Sequence, residues 1–302
     1  MGKGSIMNRR SGLFVGCAPA IVTPFREGVI DEEAFLHLLD RQLEGGGRAV
    51  VVCGTTGESA ALNDAERYRL LTLAVQAVGN RIPIIAGAGS NDTRETLRKI
   101  RIAEQAGADG LLLVTPYYNK TTQAGLLAHY SYLADRTELP ILLYEVPART
   151  GVSIAPETMA ILSRHPRIWG IKEAGTDLDR ICAAIRLCDK DFIFYSGNDS
   201  LAVPLFALGA KGLISVASNL IPEEFGRLCE SALSGNYAQA AELHYRYWEL
   251  MELLFLEVNP IPIKTALGMM GLCSPEFRLP LVPMSEPNRS RLKQCMTELK
   301  LM

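Results

Sequence analysis

The residues best suited to chemistry lie at the ends of short apolar runs. A lysine ends one such run, Trp169-Gly170-Ile171-Lys172, and Tyr144 lies in the run before it. A lysine that is shielded from water can react as a neutral amine with a ketone, and the resulting iminium is an electron sink for carbanion chemistry. A neighbouring phenol can transfer the protons that this addition requires. Most lysines are solvated surface charges. Whether Lys172 is catalytic therefore depends on its position in the fold.

Other polar groups at run ends could bind anions or transfer protons. Thr55 and Thr56 lie between two glycines, where backbone N–H groups and two hydroxyls can hold a carboxylate, although a tight turn needs the same glycines. Arg149 follows a proline in a loop and can bind a second carboxylate through two hydrogen bonds or form a surface salt bridge. Tyr117 and Tyr118 could relay protons, contact another subunit, or do both.

Eight short runs rich in Val, Ile and Leu must position these residues. They are predicted as strands at residues 18–22, 49–53, 82–86, 110–115, 141–145, 169–172, 192–196 and 212–216. A helix is predicted after each of them, at 31–43, 64–78, 93–106, 123–136, 155–163, 178–188, 199–208 and 222–231, with N-caps at Asn63 or Asp64, Asp92 and Asp177. Eight such units predict a (β/α)8 barrel, whose catalytic residues come from the carboxyl ends of the strands. No GxGxxG motif follows the first strand, which excludes the usual dinucleotide-binding fold.

The chain ends predict a simple domain organisation. Residues 1–10 are expected to form a flexible tail, residues 11–235 the catalytic barrel, and residues 236–302 a C-terminal helical domain with helices at 237–256, 262–270 and 288–300. The apolar run at residues 13–22 imitates a secretory signal, but glycine and proline interrupt it and the barrel needs it as its first strand. Glu58 is expected to favour the first turn of the following helix.

Composition excludes several classes of partner. The 302 residues are 48% hydrophobic with a formal net charge of −2, so the chain can bury a large core but offers no basic field for nucleic acid or an anionic membrane. No apolar stretch reaches the roughly 20 residues of a membrane span. Seven cysteines without a CxxC motif indicate reduced thiols in a cytoplasmic protein. The expected partner is a small molecule or another subunit.

Five strand-end motifs together resemble the dihydrodipicolinate synthase / N-acetylneuraminate lyase family: Gly54-Thr-Thr-Gly-Glu-Ser59, Thr115-Pro-Tyr-Tyr-Asn119, Tyr144-x-Val-Pro-x-Arg-Thr-Gly151, Gly170-Ile-Lys-Glu173 and Ser196-Gly197. The resemblance covers essentially the whole chain. It implies a Schiff-base aldolase that uses no metal and no cofactor. Within the family, the pattern is most similar to the enzymes that condense pyruvate with L-aspartate 4-semialdehyde in lysine and diaminopimelate biosynthesis.

The resemblance also implies a catalytic set. Lys172 would form the Schiff base, and Tyr144, Thr56 and Tyr118 would relay protons, with Tyr118 contributed by the neighbouring subunit of a tight dimer. The expected assembly is a homotetramer built as a dimer of dimers. Arg149 at the entrance would bind the carboxylate of the semialdehyde.

The remaining implied binding groups are Thr55, which with Thr56 would hold the carboxylate of pyruvate, and the backbone carbonyls of Gly197 and Ile214. One residue departs from the pattern, because Glu145 stands where the synthases usually have asparagine. If Glu145 faces the site, it could alter the pKa of the adjacent phenol or repel an anionic substrate. A lyase acting on a sugar acid is therefore kept as an alternative. A ligand-binding paralogue without activity is a further alternative, because a fold alone does not guarantee activity.

Part of the sequence is similar to the pattern of the feedback site at which synthases of that family often bind lysine, at the dimer interface. The matching residues are Ser59, Ala60, Asn91, Glu95 and Tyr117, whereas Asp64 and Arg67 replace histidines of some inhibited members. A buried carboxylate at Glu95 would favour binding of the lysine ammonium group, and Arg67 would oppose it if the side chain pointed inward.

Overall fold

The computed structural model describes Arg9 and residues 12–302. The predicted tail therefore lies outside the described residues, except for Arg9. Eight barrel strands are present: β1 Gly16–Pro19, β2 Val50–Val52, β3 Ile84–Gly87, β4 Gly110–Val114, β5 Ile141–Glu145, β6 Ile168–Glu173, β7 Ile193–Ser196 and β8 Gly212–Ser215. The helices that follow them are α1 Glu32–Glu44, α2 Asp64–Val78, α3 Thr93–Ala106, α4 Gln123–Ala134, α5 Pro156–Leu162, α6 Leu178–Leu187, α7 Ala202–Ala207 and α8 Pro222–Leu233.

The eight strands form one parallel sheet that closes on itself. Each strand from β2 to β8 pairs in parallel with the next, and β1 pairs with β8. The isolated parallel bridge between Ala20 and Val51 joins β1 to β2, where the N–H of Ile21 donates to the carbonyl of Val51 at 3.0 Å. The predicted (β/α)8 barrel is thus confirmed.

Alternation along the strands separates an inner core from an outer one. In β5, Leu142 and Tyr144 belong to the cluster inside the barrel, while Ile141 and Leu143 pack outward against the helices. Because successive side chains of a strand point to opposite faces, Glu145 at the end of β5 must point outward. This arrangement decides which strand-end residues can reach the barrel mouth.

The element boundaries differ from the prediction at two informative places. The first continuous strand ends at Pro19, and the chain leaves the sheet after Ile21, where the N–H of Val22 donates to the Asn219 side chain at 3.2 Å instead of to a strand. The helix predicted over residues 237–256 is divided at Tyr247 into two helices, of which the second ends at Leu253, and the Tyr247 ring packs against Phe225 at a centroid distance of 6.4 Å.

Local signals explain other features. The Asn63, Asp92 and Asp177 side chains cap their helices as predicted. A short hairpin of Phe25–Arg26 with Val29–Ile30 was missed, although its turn pairs Glu27 with Gly28, both at positive φ, as a two-residue hairpin turn requires.

Four more helices follow the barrel, Tyr237–Arg246, Trp248–Leu253, Ile261–Met269 and Glu286–Glu298, which we label α9 to α12. The division into a barrel and a C-terminal domain near residue 236 stays a prediction. Among the described residues, no helix is long and apolar enough to cross a membrane. All seven cysteines are unpaired, and Cys182 alone among them is exposed.

Candidate active site

A cavity of about 760 Å³ opens at the carboxyl end of the barrel strands. It brings together most of the predicted site residues, namely Thr55, Thr56, Tyr144, Arg149, Lys172 and Gly197. The C-terminal part of the chain covers one side of it through Trp248 of α10 and Phe255 just after that helix. In the part of the chain that the structure describes, no cluster of three His, Cys, Asp or Glu side chains could hold a metal ion.

Lys172 and Tyr144 are direct neighbours across two strands. The two residues face each other in the parallel pairing of β5 and β6, and both point to the barrel interior. The Nζ of Lys172 lies 4.4 Å from the centroid of the Tyr144 ring, and both residues are buried. A side chain at Gly197 would come within 2.9 Å of the Lys172 Cε, so only glycine leaves room for the lysine there. The position of Lys172 therefore favours chemistry over a surface role.

Asn259 holds two site residues together and was not predicted. Its Nδ2 donates to the Thr56 Oγ1 at 2.9 Å, and its backbone carbonyl accepts from the Arg149 Nη2 at 3.2 Å. Asn259 is buried and comes from the segment between α10 and α11. The Asn-Pro dipeptide signals only a turn, so nothing local in the sequence marks this residue.

A buried ion pair anchors the turn that carries Thr55 and Thr56. Glu58 is fully buried in a left-handed conformation, and its Oε1 accepts from the Lys264 Nζ at 2.6 Å. Burial lowers the pKa of Lys264, while the Glu58 carboxylate acts in the opposite direction. The expectation that Glu58 favours the first turn of a helix is wrong, because its carboxylate binds a lysine of α11 instead.

Glu145 lies behind the barrel wall and does not face the cavity. Its carboxylate is 3.1 Å from the Arg180 guanidinium, which also contacts the neighbouring Glu173 at 2.7 Å. The N–H of Ile154 donates to Glu145 at 3.2 Å. Burial, followed by the negative charge of Glu173, raises the pKa of Glu145 to about 8, and Arg180 opposes this. Glu145 therefore does not face a substrate in the cavity, and the repulsion of an anionic substrate that the sequence suggested is not expected.

Two predicted residues lie away from the cavity surface. Tyr118 is 90% exposed and has a left-handed backbone with φ of 69°. It does not line the cavity of its own chain. Ile214 is fully buried inside the barrel on β8, next to Ala18 of β1.

The residues of the predicted lysine site are only partly brought together. A second cavity of about 380 Å³ is lined by Ser59, Ala60 and Tyr117, and the Lys99 side chain reaches into it as well. Asn91 and Glu95 do not line this cavity. A binding site for an amine would thus contain a lysine of the protein itself.

Glu95 stays a predicted member of the lysine site, and in the single chain its carboxylate is partly exposed. Its side chain is 34% exposed and forms ion pairs with Arg98 and, at 3.5 Å, with Lys99. Arg67 is fully buried, and it donates to the carbonyls of Ser59 at 3.0 Å and Gly87 at 2.7 Å. These contacts place a second positive charge behind the cavity wall.

Comparison with known proteins identifies the family. The profile of the dihydrodipicolinate synthetase family matches residues 13–299. The chain belongs to this family. The 4-hydroxy-tetrahydrodipicolinate synthase of Alkaliphilus oremlandii is 49% identical to it, over 95% of this chain and 98% of the relative. These matches confirm the family resemblance that the strand-end motifs indicate.

Solved structures of the family support the same conclusion. The dihydrodipicolinate synthase of Thermotoga maritima superposes with a TM-score of 0.94 at 44% identity, covering 96% of this chain and 100% of the other. The enzyme of Acinetobacter baumannii, solved in complex with pyruvate, gives a TM-score of 0.93 at 40% identity and covers 95% of this chain and 99% of the other.

Proposed function

We propose that the chain catalyses the class I aldol condensation of pyruvate with L-aspartate 4-semialdehyde, which gives 4-hydroxy-tetrahydrodipicolinate for lysine and diaminopimelate biosynthesis. The observation that carries the proposal is the buried Lys172 side chain beside the Tyr144 ring, at the carboxyl end of the barrel strands. The match of the chain to the dihydrodipicolinate synthetase family supports it. The lysine iminium serves as the electron sink, so the reaction needs neither a metal nor a cofactor.

The first half of the reaction forms the Schiff base. Thr55 and Thr56 hold the carboxylate of pyruvate, and the Lys172 Nζ adds to its C2 carbon. The carbinolamine then loses one water, for which its hydroxyl must gain a proton. The Tyr144 phenol supplies this proton and takes up the proton that leaves the nitrogen. The solved complex of an A. baumannii relative with pyruvate supports this choice of first substrate.

The second half forms the carbon–carbon bond. The iminium loses a proton from C3, and the resulting enamine attacks the aldehyde carbon of the semialdehyde, whose oxygen takes up a proton. Arg149 binds the carboxylate of the semialdehyde at the cavity entrance, and the backbone carbonyls of Gly197 and Ile214 contribute binding groups near the site. The amino group of the semialdehyde then displaces Lys172 from C2, which closes the ring and frees the enzyme. One water is released overall.

Tyr118 completes the relay in a neighbouring subunit. Because its side chain is almost fully exposed and lies outside its own cavity, it is available to another copy of the chain, where it would join Thr56 and Tyr144. We place the enzyme in a homotetramer of two tight dimers, and in the cytoplasm, where its unpaired cysteines stay reduced.

A sugar-acid lyase of the same chemistry is the second candidate. Arg149 favours the synthase, since its guanidinium suits a carboxylate, and Glu145 does not weaken this choice because it points away from the cavity. The test is turnover with pyruvate and aspartate semialdehyde, compared with cleavage of sugar acids. In Arg149→Lys, we expect the KM for the semialdehyde to rise about tenfold while the KM for pyruvate changes little. Cleavage of a sugar acid without synthesis would contradict the proposal, and no turnover in either direction would favour a binding paralogue.

A further inference from the structure

One buried carboxylate of the main cavity has no part in the steps described above. Asp199 lies just after β7, two residues beyond the Gly197 that packs on Lys172, and its side chain is buried. It lines the same cavity as Lys172. The other acids on that cavity surface are Glu252 of α10 and Glu257 of the segment after it, and both are more exposed.

The two oxygens of Asp199 differ in their partners. Its Oδ2 accepts from the N–H groups of Val216 and Ala217, each at 3.0 Å. Its Oδ1 is buried and finds no hydrogen-bond partner among residues 12–302. A buried polar atom without a partner costs free energy, so a purely structural anchor leaves this oxygen unexplained.

The electrostatic surroundings connect Asp199 to Lys172. Burial raises the pKa of Asp199, whereas the Ser215 hydroxyl, the two backbone N–H groups and the positive charge of Lys172 lower it. The same attraction works in both directions: an ionised Asp199 stabilises positive charge at Lys172. Burial also raises the pKa of nearby Cys229, so that thiol remains neutral and does not compete.

We propose that Asp199 is the charge partner of the Lys172 iminium, a positioning residue whose carboxylate stabilises the positive charge that forms when pyruvate binds. This inference rests on the proposed function. The form of an amine that attacks a ketone is uncharged. With pyruvate and one proton from solvent it gives the iminium and one water, so a positive charge forms on the attacking nitrogen in a site that is shielded from water. Asp199 is the buried acid of the cavity that can balance it.

The test compares pyruvate binding in wild type and Asp199→Asn. Asparagine keeps an oxygen for the Val216 and Ala217 N–H groups but removes the charge. Borohydride trapping at increasing pyruvate concentration measures the half-saturation of the iminium, and thermal unfolding is followed in parallel. We expect the half-saturation concentration to rise about tenfold or more in the variant. A purely structural Asp199 would change thermal stability or the fraction of active protein, but not the half-saturation of the folded enzyme.

Matched controls make the outcome decisive. Glu145→Gln removes a buried acid at the same end of the barrel but behind the wall, and its half-saturation should equal that of wild type. If Asp199→Asn does not fold, Ser215→Ala decides instead, since loss of the hydroxyl makes Asp199 harder to ionise and should weaken pyruvate binding a few-fold. An unchanged half-saturation concentration of pyruvate in Asp199→Asn, or in Ser215→Ala if Asp199→Asn does not fold, would overturn the assignment. Absence of any adduct in wild type would instead refute the proposed function itself.

Discussion

Replacement of Glu145 by glutamine should stabilise the protein, and increasingly so as the pH rises. In the folded chain, Glu145 and Glu173 share the single guanidinium of Arg180, and both carboxylates are buried. If both are ionised, the group carries one uncompensated negative charge away from water. Glutamine has nearly the same shape as the protonated glutamate, and it leaves Glu173 and Arg180 as a neutral pair.

The pKa of Glu145 gives the sign and the size of the effect. Its folded value of about 8 lies above the ordinary 4.5, so the folded chain binds more protons than the unfolded chain between these two values. The contribution of the protonated Glu145 side chain to the free energy of unfolding is therefore fully present below pH 4.5 and is lost as the pH rises towards 8. The full difference corresponds to about 5 kcal/mol as an upper limit. Because Arg180 and local relaxation absorb part of it, we expect a gain of about 2 kcal/mol for Glu145→Gln at pH 8.5.

Thermal or denaturant unfolding at pH 5.5 and pH 8.5 measures this difference. We expect nearly equal stability at the lower pH and a Tm that is higher for Glu145→Gln by about 4 °C at the upper one. Glu138→Gln is the control, because its side chain is 89% exposed and its removal should show no such trend. A Glu145→Gln variant that is less stable at pH 8.5 than at pH 5.5, relative to wild type, would refute the reasoning.

Three further predictions concern groups around the cavities. Lys264→Met leaves the buried Glu58 carboxylate unpaired and should lower the free energy of unfolding by about 3 to 5 kcal/mol; a loss below 1 kcal/mol in urea unfolding would contradict this. Asn259→Ala frees the Thr56 hydroxyl and should lower kcat/KM about tenfold in steady-state assays, and unchanged kinetics would show that this contact is dispensable. Because Lys99 already places an ammonium group in the second cavity, free lysine should inhibit wild type weakly and Lys99→Ala more strongly; equal inhibition curves would speak against this.

The barrel could be predicted because its signals are local. Apolar runs such as residues 141–145, with helices between them, set the number and order of the strands, and the carboxyl-end rule then placed Lys172 and Tyr144 in one cavity. Strand alternation also fixes the direction of Glu145 once the pairing is known, since Tyr144 points inward and the next residue must point outward.

The remaining site residues depend on contacts between distant parts of the chain. Lys264 and Glu58 are separated by 206 positions, and Asn259 and Thr56 by 203. Neither pair leaves a periodic or turn signal that would join its two members. The surroundings of Glu95 could not be predicted either, because its exposure in the single chain depends on how α3 packs and on Arg98 and Lys99 beside it, which composition does not reveal.

The most direct test of the central claim is reduction of the protein with borohydride in the presence of pyruvate, followed by peptide mapping with mass spectrometry. The reduced adduct should increase the mass of a single peptide, the one that contains Lys172, and Lys172→Arg should abolish it. An adduct on another lysine, or no adduct at saturating pyruvate, would contradict the account.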